Sequence, residues 1–210
     1  VYDPNILKAF FLAGGPGSGK SYVVKRGTGG LGLKIVNSDD VFEKYIKDAG
    51  LSMKMPKSEE EPRDKLRDRA KAVTKARMGN YVEGRLGLII DGTGKDYDKI
   101  AKQATQLKQL GYDVHMIFVN TSLDTALERN AKRARSVQEP IVVKSWKSVQ
   151  ANIGKFSQYF RQNFVVVDNN DAGEDVFNKV FKQVVSLAKS RVQNNLGKQW
   201  IANELAKKRR

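Results

Sequence analysis

Five short stretches of the chain are near-continuous in apolar residues: 7–13, 33–37, 86–91, 114–119 and 164–168. Each has the length of a buried strand. Between them, apolar residues recur every three or four positions. One set is Tyr97, Ile100, Ala101, Ala104, Leu107 and Leu110; a second is Trp146, Val149, Ile153 and Phe156; a third is Phe177, Val180, Phe181, Val184 and Leu187. That spacing marks one face of a helix each time. Strand-like and helix-like segments in alternation predict an α/β fold, with a parallel five-stranded sheet and helices on both faces.

Turn residues divide the pattern further. Gly27-Thr28-Gly29-Gly30 ends the first helix early, and a helix over 41–49 is closed by Gly50. Residues 51–62 form a break. There Ser58 and Glu61 make a capping-box pattern and Pro62 suits a first turn, which predicts a polar helix to about residue 77. Arg63, Arg67, Lys71 and Lys75 recur on it every four residues, as a basic stripe that is either a solvated face or a contact surface. Thr121 and Asp124 offer another capping box, before a helix to about Ala134 that carries Arg129, Lys132, Arg133 and Arg135. Pro140 punctuates the chain before the next helix. Leu196, Trp200, Ile201 and Leu205 keep helical spacing in a basic extension, 191–210, that ends Lys207-Lys208-Arg209-Arg210.

The first strand runs straight into Gly14-Gly15-Pro16-Gly17-Ser18-Gly19-Lys20-Ser21, which fits G-x-x-x-x-G-K-[ST] with a helix-forming stretch behind it. Glycines let the backbone fold around phosphate oxygens. The N–H groups of Gly17 to Ser21 would converge on the anion, aided by the positive end of the helix dipole. Lys20 would reach the β- and γ-phosphates, and the Ser21 hydroxyl would ligate Mg²⁺. These eight residues are therefore expected to hold a nucleoside triphosphate. A chance glycine-rich turn would lack the strand before it and the helix after it.

Composition narrows the class. A chain of 210 residues, 40% hydrophobic and 29% charged, suits one globular domain over 1–190 with a small appendage. No apolar run approaches the ~20 residues of a membrane span, and Asp3, Pro4 and Asn5 interrupt any signal-peptide pattern. Absence of cysteine excludes disulfides and thiolate zinc sites. A cytoplasmic location is the expectation. His115, the one histidine, falls inside a strand and reads as a core or edge residue. The net charge of +15 changes the picture most, because it favours a polyanionic partner. A basic surface kept for solubility is the alternative.

Chemistry is expected at the strand ends, where open parallel sheets bind ligands. Phosphoryl transfer needs a carboxylate to take the attacking hydroxyl's proton, and positive charge around the transferred group. Asp39 follows the second strand and is the expected base, although an aspartate there can equally be a helix N-cap. Asp91, with Thr93, is expected to position a magnesium-bound water or the substrate. Arg129 and Arg133, four apart, share a helix face and could close over phosphates, or be ordinary surface charges.

These residues carry a resemblance. Asn37-Ser38-Asp39-Asp40 resembles the Asn-Arg-Asp-Asp after the second strand of bacteriophage 5′-polynucleotide kinases. Ile90-Asp91-Gly92-Thr93 resembles their Ser-Asp-Thr-Asn segment. The stretch from Glu128 to Arg133, followed by Pro140, resembles their lid helix with both arginines. The likeness covers residues 8 to about 160. It implies a P-loop kinase fold with a helical lid over 121–160 and a substrate-side insertion over 51–80. It also implies that Asp39 is the general base and that Arg129 and Arg133 contact ATP. The chain departs from the family at Phe42, where the family has an arginine that touches its substrate.

The activity expected is ATP- and Mg²⁺-dependent transfer to a hydroxyl on nucleic acid, DNA rather than RNA. The hydroxyl would be a 5′ end or a hydroxymethylated pyrimidine. Asp40, Phe42, Thr93, Arg63, Arg67 and Lys71 are the expected acceptor contacts, with Phe42 stacking on a base. One alternative is a kinase for a small molecule, nucleotide or sugar nucleotide, of the zeta-toxin kind. Another is a P-loop NTPase that binds nucleic acid. Gly92 weakens the latter, since such ATPases usually place a water-orienting glutamate after the third-strand aspartate.

Overall fold

The structure is a computed structural model that describes residues 1–28, 30–133, 135–171 and 174–208, without the side chains of 26–28, 174, 176 and 177. Gly29, Ala134, the Phe177 side chain and the terminal Arg209 and Arg210, all read above, lie outside the described residues.

All five expected strands form: β1 (Lys8–Ala13), β2 (Lys34–Val36), β3 (Leu88–Asp91), β4 (Asp113–Asn120) and β5 (Phe164–Asp168). They pair in parallel in the order β2-β3-β1-β4-β5. The helices between them are α1 (Lys20–Thr28), α2 (Ser38–Asp48), α3 (Glu60–Glu83), α4 (Tyr97–Gln109), α5 (Leu123–Ala131), α6 (Glu139–Phe160) and α7 (Glu174–Lys189). A last helix, α8 (Asn195–Lys208), follows.

Every residue of β1 is buried, which is why its sequence is a run and not an alternation. Successive side chains still point to opposite layers. Phe10 and Leu12 pack with Val23 of α1 and Val184 of α7. Phe11 and Ala13 pack with Leu107 of α4 and Phe156 of α6. A small third core, Phe42, Ile46 and Ala70, joins α2 to α3. His115 belongs to the first of these layers, 4% exposed and stacked on Phe10 at 5.0 Å. Burial pushes its pKa down to about 4, helped by Lys8 and opposed by Asp113.

β1 lies between β3 and β4, so the chain leaves β3 and crosses β1 to reach β4. The crevice this leaves at the carboxyl ends of β1 and β3 is where such sheets bind ligands. The amino ends are closed instead. Buried Lys8 pairs with Asp113 at 2.7 Å and donates to Ser190 Oγ. Asp113 also accepts the N–H groups of Gln193 and Asn194. Gly197 of α8 seats against Gly111, and Arg85 lies over Trp200. α8 is thus fixed at the end of the sheet opposite the P-loop. At its end Lys207 pairs with Glu204, and the Lys208 ammonium lies over the Tyr2 ring.

Two capping boxes do not form. A short 3-10 turn, Lys57–Glu59, precedes α3, and the Glu59 carboxylate accepts from Ser52 N–H at 2.8 Å. α3 also runs past the expected residue 77, to Glu83. At α5 the cap is Ser122, whose hydroxyl accepts from Thr125 N–H. Thr121 is buried, and its carbonyl accepts from the Trp146 indole. Among the described residues no helix is long and apolar enough to cross a membrane.

Candidate active site

The loop from Gly14 to Lys20 leaves β1 and enters α1 as expected. Gly17 and Gly19 hold φ of 79° and 82°, in the left-handed region that favours glycine. A Cβ on Gly17 would strike the Ala126 carbonyl, and one on Gly19 would strike the Asn169 amide. Asn169, buried after β5, donates to Ser18 O at 2.7 Å and so braces the loop from behind. Gly14 N–H donates to Thr93 O at 2.9 Å, which ties the loop to the turn after β3. The result is a cavity of about 540 Å³ whose lining includes residues 15–22, Asp39, Asp40, Asp91, Thr93, Arg129, Arg133 and Arg135. Residues separated by over a hundred positions in sequence therefore face one space.

Asn37 organises the acidic side. Its side-chain oxygen accepts from Asp39 N–H at 2.8 Å and caps α2, while its Nδ2 donates to Asp91 Oδ2 at 3.1 Å. Asp39 is consequently not the N-cap. It sits in the first turn of α2 with its carboxylate exposed, and the N-cap role belongs to Asn37. The sequence places Asn37 at the end of a strand and in the Asn37-Ser38-Asp39-Asp40 segment, without assigning it a cap.

Asp91 ends β3. Its Oδ1 is buried and has no hydrogen-bond partner among the described residues. Burial pushes its pKa above the usual carboxylate range; Lys20 opposes this, and Asp39 and Asp40 add to it. Burial likewise lowers the pKa of Lys20; Asp91 and Asp39 oppose the shift, and Arg133 adds to it. An orphaned carboxylate oxygen in the same cavity as the Ser21 hydroxyl suits Mg²⁺, directly or through water. Among the described residues there is no cluster of three acidic or imidazole ligands. Mg²⁺ at a nucleotide needs none, since waters and phosphates fill most of its shell.

The two arginines of α5 and its end differ. Arg129 lines the cavity and donates to the carbonyls of Asn169 and Asn170 at 2.6 and 2.8 Å, which ties it to the β5–α7 loop. Arg133 is exposed, lines the cavity and makes no ion pair among the described residues. Arg135, read from sequence only as one more basic position, also reaches the site. Its Nε meets Glu43 at 3.0 Å and its Nη2 meets Asp39 Oδ2 at 3.6 Å.

Several expected acceptor contacts lie elsewhere. Phe42 is 1% exposed inside the α2–α3 core. The Arg67 guanidinium lies 4.3 Å from its ring centroid and that of Arg135 at 5.9 Å, so no face is open to a base. Arg67 is engaged in that stack. Arg63 donates to the carbonyls of Met55 and Pro56, holding the break before α3. Of the stripe, Lys71 and Lys75 line a cavity. It is a second one of about 540 Å³, bounded by α3, α4 and the turn after β3, and it shares Asp91 and Thr93 with the first. Asp40 lines the first cavity.

A family model described as AAA domain matches residues 10–155. No curated protein matches the chain. Solved structures of like fold include a gluconokinase from Sinorhizobium meliloti 1021, 13% identical over 88% of this chain and 95% of that one, TM-score 0.53. The PezAT chromosomal toxin–antitoxin system of Streptococcus pneumoniae is 15% identical over 90% and 86%, TM-score 0.56. The Pnkp1/Rnl/Hen1 RNA repair complex is 20% identical over 72% and 47%, TM-score 0.56. At such identities the likeness is one of fold, that of P-loop kinases.

Proposed function

The chain belongs to the AAA domain family that its residues 10–155 match, and on that footing we propose that it is an ATP- and Mg²⁺-dependent kinase acting on a hydroxyl of nucleic acid. One observation carries the reading: two cavities of equal size meet at Asp91 and Thr93, one under the P-loop and one beyond it. A hydrolase needs no second cavity, and a kinase needs somewhere to hold an acceptor. Gly92 after Asp91 leaves no glutamate to orient water there.

In this reading the N–H groups of the P-loop and the Lys20 ammonium hold the β- and γ-phosphates of ATP. Ser21 and Asp91 would hold Mg²⁺, which supplies charge neutralisation at the phosphates when bound. Asp39 accepts the proton of the acceptor hydroxyl as its oxygen bonds to the γ-phosphorus. The bond from that phosphorus to the β–γ bridging oxygen breaks, and ADP leaves. Arg133, from the lid over 121–160, neutralises the transferred group. Arg129 holds the lid to the β5–α7 loop.

The net charge of +15 and the lysines of the second cavity support a polyanionic acceptor. The second reading, a kinase for a phosphorylated small molecule, is favoured by the size of that cavity, which suits a single small ligand. Transfer of γ-³²P to DNA, RNA, hydroxymethylated DNA, nucleotides, sugar phosphates and water, measured in parallel, separates the two. Label on DNA above all other acceptors supports the proposal. Label confined to small molecules moves the function to the second reading, and label released only as phosphate makes the protein an NTPase.

A further inference from the structure

Two helices present matched faces to the second cavity. α3 contributes Lys71, Thr74, Lys75 and Met78, and α4 with its cap contributes Asp96, Lys99, Ile100 and Gln103. Both sets fall at i, i+3, i+4 and i+7, one helical face each. The turn after β3 adds Lys95. Four lysines from three separate elements thus line one cavity. Its walls are partly apolar, through Met78, Ile100 and Ile90.

The cations outweigh the acids there. Asp96 is occupied in capping α4, accepting from Lys99 N–H at 3.0 Å. Asp91 has one oxygen taken by Asn37. Lys71 meets Asp68 at 3.3 Å, but both side chains are exposed and such a pair contributes little. Among the described residues Lys75, Lys95 and Lys99 make no ion pair. A solvated helix face would not gather lysines from a second helix and a turn around apolar walls. A carboxylate acceptor would be better served by the fork of an arginine, whereas lysines act as point charges that suit phosphate.

We propose that this cavity is the acceptor site and that Lys71, Lys75, Lys95 and Lys99 bind a phosphate group carried by the acceptor, with its hydroxyl directed to the junction at Asp91 and Thr93. This rests on the kinase reading above and specifies its substrate: a hydroxyl compound bearing phosphate and an apolar or planar body. The phosphate is a diester of a polynucleotide or a monoester of a small molecule.

The test is equilibrium binding of a fluorescent single-stranded DNA oligonucleotide with a free 5′-hydroxyl, with Mg²⁺ and a non-hydrolysable ATP analogue present, across a salt series. Lys75→Gln and Lys99→Gln should each weaken binding three- to tenfold and lower the log–log salt slope by about 0.7, with the double variant lowering it by about twice that. Lys75→Arg should restore the slope. Lys198→Gln, on α8 at the opposite end of the sheet, should change neither quantity, and affinity for the ATP analogue should stay constant throughout. The same variants are assayed for transfer to a mononucleotide, a sugar phosphate and their phosphate-free counterparts. Lysine-dependent transfer to the phosphorylated small molecules alone keeps the cavity assignment and removes the polynucleotide acceptor. Transfer to DNA that is indifferent to Lys75 and Lys99 keeps the function and overturns the assignment. Equal use of phosphate-free acceptors overturns it as well.

Discussion

Asn37 accepts from the Asp39 N–H and donates to the Asp91 carboxylate, and replacing it separates these two tasks. Asn37→Ser keeps an oxygen that can cap α2 but removes the donor to Asp91 Oδ2; Asn37→Ala removes both. A hydrogen bond to a carboxylate contributes about 1.5 kcal/mol net, and an N-cap about 1 kcal/mol. For a domain of this size each kcal/mol lowers Tm by about 2–4 °C. Asn37→Ser should therefore melt about 3–6 °C lower than the parent, and Asn37→Ala about 2–4 °C lower again. Freeing Asp91 at about 1.5 kcal/mol predicts roughly tenfold slower transfer for the serine variant and a higher Mg²⁺ requirement. The alanine variant loses in addition the amide that holds Asp39 N–H, and should slow by up to about fivefold more. Thermal unfolding by circular dichroism and a Mg²⁺ titration of transfer measure both effects. A serine variant with parental turnover and parental Mg²⁺ dependence would refute the link between Asn37 and Asp91. Equal Tm for the serine and alanine variants would refute the cap.

The arginines should part company. Arg133→Ala is expected to slow turnover by at least ~10³-fold with Tm unchanged, whereas Arg129→Ala should lower Tm and weaken ATP binding with a smaller loss of turnover. Steady-state kinetics beside thermal unfolding will show whether the two profiles differ. His115 gives a pH test away from the site. Its pKa is about 4 in the fold against 6.5 unfolded, so between those values the unfolded chain binds more protons. Its contribution is full above pH 6.5 and is lost as pH falls to 4, by about 3 kcal/mol in all. His115→Phe should flatten that part of the urea-unfolding profile, and an unchanged pH slope in the variant would exclude the mechanism.

What could be read in the sequence was whatever is local. The P-loop carries its own glycines and lysine, and strands buried on both faces announce themselves as apolar runs. The acidic strand ends followed from the same pattern, because ligands collect where parallel strands stop. What stayed hidden depends on packing between distant elements. Phe42 looked like a stacking platform until α3 covered it and Arg67 closed its face. Arg63 and Lys71 are equivalent by spacing, yet one holds a loop and the other lines a cavity. Asn37 carries a cap signal that was there to be read, since asparagine is among the best capping residues. Its second bond, to Asp91, spans 54 positions and has no sequence signature. Nor does the cavity between α3 and α4, whose lysines only meet once the sheet order is set.

The central claim is that Asp39 takes a proton from an acceptor hydroxyl while the P-loop holds ATP. It is tested most directly by Asp39→Asn beside Asp40→Asn, each measured for binding of a fluorescent ATP analogue and for single-turnover transfer of γ-³²P to the best acceptor found. The amide keeps the shape of the side chain but cannot take a proton at that position. Asp39→Asn should bind the analogue as the parent does and transfer at least ~10²-fold more slowly, with Asp40→Asn milder. Parental transfer by Asp39→Asn, or a greater loss in Asp40→Asn, would contradict the account.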